Sequence, residues 1–477
     1  MQAVLLIDFG STFTKVIIAD LEREELIACA QAGTTIETDI MAGLQQALGQ
    51  IPEPAGGWNF LHKLACSSAA GGLKMIASGL VKELTAEAAR RAALGAGARV
   101  LQVFSYELIA QDLEQIRALE PDIILLAGGT DGGNSEMILK NAAALAGLPQ
   151  SIPVVVAGNR TAAAAAAEIL RPKHSPVIIA DNVMPELNVL AVDAAQKAIR
   201  AIFLNNIVKA KGLDKAEGFL ERVLMPTPAA VLAAGELLAQ GYAEEQGWGD
   251  LLIVDVGGAT TDVYSFAQGD PSKAGVALKG LPEPYAKRTV EGDLGLRYSA
   301  RALGQAAGRQ LGRCLGWSQE QVEKNLNSCV QDPWLIPALN TEEEKFDIAM
   351  GRLAVEIALK RHAGNLEVVY TPLGASYVQY GKDLTPVPLV IGTGGILARH
   401  AQARQIMEGV LFKPEEPTIL KPQHPRFFRD KEYILAAMGL LREIAPQKAL
   451  RMLKKYLVEL EEENHGAESR EDGPGRV

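Results

Sequence analysis

The chain has 477 residues, of which 48% are hydrophobic and 22% charged, and a formal net charge of −10 from 47 basic and 57 acidic side chains. That balance excludes a largely disordered chain, and the acidic excess without a basic stripe makes nucleic acid an unexpected partner. No apolar run approaches the ~18 residues of a membrane span, and the opening MQAVLLIDFG has neither a charged leader region nor a cleavage site, so a cytoplasmic protein with no membrane partner is expected.

At roughly 150 residues per domain, two to four domains are expected. Residues 3–30 read strand, turn, strand, turn, strand (AVLLIDF, KVIIAD, ELIACA), with no room for a helix. The first turn is Asp8-Phe9-Gly10-Ser11-Thr12, followed by Phe13-Thr14-Lys15. A Gly-rich turn of this kind points several backbone N–H groups into one concavity, which suits an anion. Ser11 and Thr12 add hydroxyl donors, and Lys15 can set a point charge on a phosphate. Asp8 would repel that phosphate unless a cation lay between, which implies Mg²⁺ held through water. The strand HKLAC then leads into the small-residue loop Cys66-Ser67-Ser68-Ala69-Ala70-Gly71-Gly72, read first as close packing and second as a cleft lining.

Residues 86–205 have their own βαβαβ rhythm, flavodoxin-like and long enough for a separate core. Its strands are RVLQVFS, DIILLAGG, PVVVAG and VIIAD; helical spacing covers 84–96, 107–119, 136–146, 161–170 and 191–205. The loop Gly128-Gly129-Thr130-Asp131-Gly132-Gly133 follows a strand, where either a ligand loop or a helix-capping turn is expected. Residues 250–268 then open as the chain did: LLIVDV, GGATTD, VYSF. Asp255 mirrors Asp8, and Gly257, Gly258, Ala259 and Thr260 repeat the phosphate turn, so two hairpins would clamp β- and γ-phosphates from both sides; Asp262 is a secondary candidate. Asp293 is expected to cap a helix or face the cleft, and Arg352 with Glu356 to form a surface pair on the 346–363 helix. Gly392, Thr393, Gly394 and Gly395 follow an apolar strand and leave room for a base or ribose. The six histidines form no metal-binding spacing. The last stretch, 457–477, is polar and reads as a disordered tail.

Rival nucleotide motifs are absent: no GxxxxGK[ST] occurs, and neither GGTDGG nor GTGG fits GxGxxG. The three loops resemble the phosphate-1, phosphate-2 and adenosine motifs of the actin-like ATPase superfamily. Within it the chain is similar to the MutL/GlmL family of glutamate mutase accessory proteins, distinct from the DNA mismatch-repair protein sharing the name. LIDFGSTFTK, ACSSAAGGLKM, DIILLAGGTDGGN, ADNVMPELNVL, MPTPAAVL, IVDVGGATTDVYS, RTVEGDLGLRYSA and VIGTGGIL carry the resemblance across almost the whole chain.

The resemblance implies an α/β fold with two actin-like (ribonuclease H-like) domains around a nucleotide cleft and a flavodoxin-like insertion. The expected order is the first domain in 1–85, the insertion in 86–205, a return helix in 206–245, the second domain in 246–456, then the tail. It implies ATP and Mg²⁺ as cofactors, with Asp8, Lys15 and Asp255 as the catalytic set and Asp8 and Asp255 organising the metal. It further implies an adenosylcobalamin-dependent mutase as partner, by analogy with reactivating factors that use ATP to eject damaged cobalamin, and a slow Mg-dependent ATP hydrolysis. A small-molecule kinase of the same fold, or a module that senses ATP without hydrolysing it, stays open as an alternative.

Overall fold

Uninterrupted Val, Ile and Leu runs of six or so residues fold as strands buried on both faces. In the computed structural model, which describes residues 3–35, 39–54, 57–68, 73–204, 219–333, 337–371 and 374–461, the first such run is β1 (Ala3–Phe9). It pairs antiparallel with β2 (Phe13–Asp20), which pairs antiparallel with β3 (Glu25–Gly33). The chain crosses back through the helix Ile40–Leu48, and β4 (Phe60–Ser67) joins β1 on its other side, parallel.

A separate all-parallel sheet follows: β5 (Lys74–Gly79), β6 (Arg99–Ser105), β7 (Ile123–Leu126), β8 (Val154–Val156) and β9 (Val177–Ile179). Its strand order is β6-β5-β7-β8-β9, which in the sheet's own numbering is the flavodoxin-like order 2-1-3-4-5. The strand β5 lies ahead of residue 86, so the sheet starts earlier than the sequence suggested. KMIASG has only two large apolar residues and ends in Ser-Gly, a weak strand signal; it becomes a strand because β6 and β7 flank it on both edges. The sheet is not a loosely attached lobe. Met75, Ala77, Leu125 and Val155 share one buried cluster with Leu5, Ile7 and Val16 of the first sheet, the helix Glu87–Gly95 lying among them.

After this sheet, β10 (Arg222–Pro226) returns parallel to β4 and runs straight into the helix Thr227–Gln240. The expected return segment is thus a strand and a helix, residues 205–218 lying outside the described residues. A two-residue hairpin, β11 (Gly241–Tyr242) and β12 (Glu245–Gln246), leads into the second half. There β13 (Leu251–Val256) and β14 (Thr261–Phe266) form the second antiparallel hairpin. A small side sheet is built from β15 (Val276–Lys279), β17 (Asn365–Thr371) and β18 (Gly374–Tyr380). The main sheet is completed by β16 (Ala286–Glu291), β19 (Leu389–Thr393), β20 (Arg426–Arg429) and β21 (Val458–Leu460). The last strand falls in the stretch read as a disordered tail. It is ordered by pairing with β20, with Arg426 and Glu459 bonded alongside at 2.6 Å; residues 462–477 lie outside the described residues.

The two large sheets repeat one plan. The first runs β3-β2-β1-β4-β10 and the second β16-β14-β13-β19-β20, with the same antiparallel and parallel pairings position by position. Two α/β domains of this kind, facing each other, are the actin-like architecture. Each fifth strand feeds a helix, Thr227–Gln240 in the first half and Ile434–Leu441 in the second, and these helices pack together between the sheets. Their crossing is close: a Cβ on Gly439 would lie 1.9 Å from the Ala230 carbonyl oxygen.

Candidate functional site

Register makes the two hairpins equivalent residue for residue. In the first, Asp8 stands opposite Lys15 and the Gly10 N–H donates to the Phe13 carbonyl at 3.1 Å. In the second, Asp255 stands opposite Asp262 and the Gly257 N–H donates to the Thr260 carbonyl at 2.9 Å. The repeat therefore differs in one charge: the returning strand carries a lysine in one copy and an aspartate in the other.

Both tips open onto one cavity of about 420 Å³, a size that suits a small-molecule ligand. Asp8, Gly10, Ser11, Thr12 and Lys15 line it from the first hairpin; Asp255, Gly257, Gly258, Ala259, Thr260 and Asp262 line it from the second. From the third loop Gly394 and Gly395 line it, whereas Gly392 and Thr393 stand behind the wall. A Cβ on Gly392 would meet the Met407 sulfur at 2.6 Å, and the Thr393 hydroxyl donates to Asp430 at 3.1 Å. Gly394 has φ of 94°, and a Cβ there would lie 2.3 Å from the Val256 carbonyl oxygen and 2.7 Å from Asp255 Oδ1. Only glycine lets the third loop close over the second hairpin.

Asp8 is held from three sides. The Thr227 hydroxyl donates to Oδ1 at 2.6 Å, the Cys66 thiol approaches the same oxygen at 3.6 Å, and Lys15 Nζ lies 3.8 Å from Oδ2. Lys15 Nζ also sits 4.2 Å from the centre of the Tyr433 ring. Burial, then the neighbouring Asp8 charge, pushes the Cys66 thiol well above its ordinary range, so it is a donor and not a nucleophile. Its loop continues to Ser68, which lines the cavity; Ala69–Gly72 lie outside the described residues.

Desolvation, followed by the Asp262 carboxylate and, more weakly, Asp8, pushes Asp255 up to about 7. A carboxyl raised in the folded state contributes stability that is complete below its unfolded value and lost as pH rises through about 7. Without ligand, Asp255→Asn should therefore stabilise the protein at pH 8 and change it little near pH 4. Melting curves of both forms across that range test this, and equal curves at pH 8 would refute it. Such a carboxylate cluster suits a nearby cation, though among the described residues no three His, Cys, Asp or Glu side chains come together to chelate a metal directly. Contact through water and phosphate oxygens, the usual mode of Mg²⁺, fits that arrangement.

Asp262 forms a buried pair with Arg288 at 2.8 Å, leaving its Oδ1 without a partner. Arg288 Nη1 also donates to the Ala98 carbonyl at 2.8 Å, which ties the second hairpin to the segment before β6. Sequence reasoning missed Arg288, Thr227 and Asp430. The buried Asp430 accepts the Ile434 and Leu435 N–H groups at 2.7 and 3.1 Å and so caps the second interdomain helix. Thr227 and Asp430 each follow the fifth strand of their repeat, a signal visible only once the two halves are aligned.

Other expected positions lie away from the cavity. Asp293 neither caps a helix nor faces the cleft; Arg361 takes it at 2.7 and 2.9 Å because that guanidinium reaches over the turn. Glu356 pairs with Lys413, and Arg352 lies 4.0 Å from Glu408, since the helix Glu342–His362 packs against the helical segment Ala403–Val410 much later in the chain, and each side chain finds a partner in or just beyond it. The Gly128–Gly133 turn is held by its own neighbours: Asn159 accepts the Gly132 N–H at 3.1 Å and Asn182 donates to the Gly129 carbonyl at 3.0 Å.

The family model described as "MutL protein" matches residues 4–457. A curated relative, Protein MutL of Clostridium tetanomorphum, is 52% identical over 464 residues, covering 96% of this chain and all of that one. Among solved structures, the activator of 2-hydroxyisocaproyl-CoA dehydratase from Clostridium difficile with bound ADPNP is 12% identical, covering 95% of this chain and 98% of that one, with a TM-score of 0.29. The xylulose kinase of Bifidobacterium adolescentis is 14% identical, with coverages of 96% and 94% and a TM-score of 0.30. Likenesses at these scores fix neither site nor activity. Among the described residues no helix is long and apolar enough to cross a membrane.

Proposed function

We propose that this chain, which belongs to the MutL protein family, binds Mg-ATP between its two hairpins and serves as a cytoplasmic, ATP-driven accessory protein of an adenosylcobalamin-dependent mutase. One observation carries the nucleotide reading: two copies of the same Asp-x-Gly hairpin, Asp8 to Lys15 and Asp255 to Asp262, line a single cavity. Backbone N–H groups at both tips suit phosphate oxygens, and Lys15 adds a charge to them. Asp8 and Asp255 would hold Mg²⁺ through water. The ion would supply the positive charge that lets carboxylates and phosphates share the cavity. The side chains Tyr298, Pro333, Pro337 and Leu339 also line the cavity and offer apolar surface that suits a base. Closure of the halves about the Thr227–Gln240 and Ile434–Leu441 helices would transmit nucleotide state to the mutase. The hydrolysis is slow in this reading, and Asp8, Asp255 and Lys15 carry it.

A ligand bound only to the folded state stabilises it by RT ln(1 + [L]/Kd), roughly 2.7 kcal/mol at a hundredfold excess over Kd. Mg-ATP should raise the melting temperature and AMP should do so less. An unchanged melting curve in millimolar Mg-ATP would remove the nucleotide reading. Co-purification with an adenosylcobalamin-dependent mutase, with and without ATP, tests the partner; ATP turnover only on addition of a small metabolite would instead identify a kinase.

A further inference from the structure

Of the six basic side chains that line the cavity, Lys15, Arg99, Arg288, Arg297, Arg399 and His400, four face a carboxylate and Arg399 lies over the Phe13 ring, 5.7 Å from its centre. Lys15 has Asp8 at 3.8 Å, Arg288 has Asp262 at 2.8 Å, Arg297 has Asp347 at 2.5 Å, and His400 has Glu344 at 2.8 Å. Arg99 also lines the cavity, and among the described residues its guanidinium has no carboxylate, acceptor or ring as a partner. It stands at the start of β6, the edge strand of the parallel sheet, its backbone N–H bonded to the Leu73 carbonyl at 2.7 Å. The side chain reaches over to the second half of the molecule and lies against bare backbone: a Cβ on Gly292 would meet its Nη2 at 2.8 Å and its Cζ at 3.3 Å. The acidic neighbours of that glycine cannot serve it, because Arg361 Nη1 holds both Glu291 and Asp293 at 2.7 Å.

The segment leading to Arg99 touches both phosphate hairpins through one intermediate each. A Cβ on Gly97 would lie 3.0 Å from Pro226 Cβ, and the next residue, Thr227, donates to Asp8. The Ala98 carbonyl accepts from Arg288, which holds Asp262. Arg99 is therefore delivered to the hairpin end of the cavity. A guanidinium is planar, always charged and presents a fork of donors that matches phosphate or carboxylate oxygens.

We propose that Arg99 binds the terminal phosphoryl group of the nucleotide, so that the inserted parallel sheet engages the triphosphate and not the diphosphate. This rests on the ATP reading given above and assigns a residue within it. It gives the parallel sheet a direct contact with nucleotide state, made by a side chain that leaves the hairpins themselves unchanged.

Calorimetric affinities of full-length wild type, Arg99→Ala, Arg99→Lys and Gly292→Ala for Mg-ATP, Mg-ADP and AMP test the assignment. Arg99→Ala should lose on the order of 10- to 100-fold in ATP affinity, the range of charge-assisted hydrogen bonds, with ADP and AMP within about threefold of wild type on the same ground. Arg99→Lys keeps the charge without the fork and should fall between. Gly292→Ala, which displaces the guanidinium tip, should weaken ATP selectively. Unchanged ATP affinity in Arg99→Ala, or an equal loss for ATP and ADP, overturns the proposal. So does a wild type that binds succinate through Arg99 while its nucleotide affinities ignore the substitution, since the anion would then be a carboxylate. If wild type binds no nucleotide at all, the ATP reading itself fails; if it binds ATP and Arg99→Ala binds it equally well, only the Arg99 assignment fails.

Discussion

Asp8→Asn should reduce Mg-dependent ATP turnover by about 10²- to 10³-fold, the usual cost of losing one group aimed at developing charge in a closed site. The side chain it replaces accepts the Thr227 hydroxyl, lies beside the Cys66 thiol and faces Lys15 across the hairpin. Asparagine preserves the shape and the strand but removes the negative charge that would hold a cation against the phosphates. The circular dichroism spectrum and melting temperature without ligand should therefore stay near wild type while phosphate release collapses. Lys15→Ala should separate the two jobs of the hairpin, weakening ATP more than AMP because only a phosphate partner is lost. Wild-type turnover in both variants would mean that the cavity is not where ATP is hydrolysed.

The largest stability effect is expected at Arg288→Ala. Removing one partner of a buried ion pair typically costs 3–5 kcal/mol, because the other charge is left uncompensated. Here the loss is compounded. Asp262 already has one oxygen without a partner, Leu94 and Ala98 would lose their donor, and Asp255 would feel the exposed charge. Thermal melts should show a fall of several degrees. Most of it should be recovered in the double variant Arg288→Met with Asp262→Asn, which removes both charges together. A double variant no better than the single one would show that the arginine acts through its carbonyl contacts alone and not through the pair.

The substitutions also separate what is local in this protein from what is not. Hairpin geometry is local. Asp-x-Gly followed by small residues, with apolar runs on either side, specifies a turn and a register within about ten residues, so Asp8, Lys15, Asp255 and the Gly257–Thr260 turn could be named from sequence. The alternation of parallel strands and helices in the inserted sheet is legible for the same reason, since each Val/Ile/Leu run carries its own burial signal.

Other features needed partners distant in sequence. KMIASG is a strand because β6 and β7 stand on either side of it. Val458–Leu460 is a strand because β20 offers an open edge some thirty residues earlier in the chain. Thr227 meets Asp8 across 219 residues, and Arg288 reaches Ala98 across 190. No short-range preference encodes such pairs; they form only after loop closure and burial of the shared cores have brought the elements together. The amino-acid sequence by itself determined the two Asp-x-Gly hairpins and the class of fold. Tertiary structure decided which side chains surround those hairpins, because burial and charge pairing depend on neighbours that the local chain does not contain.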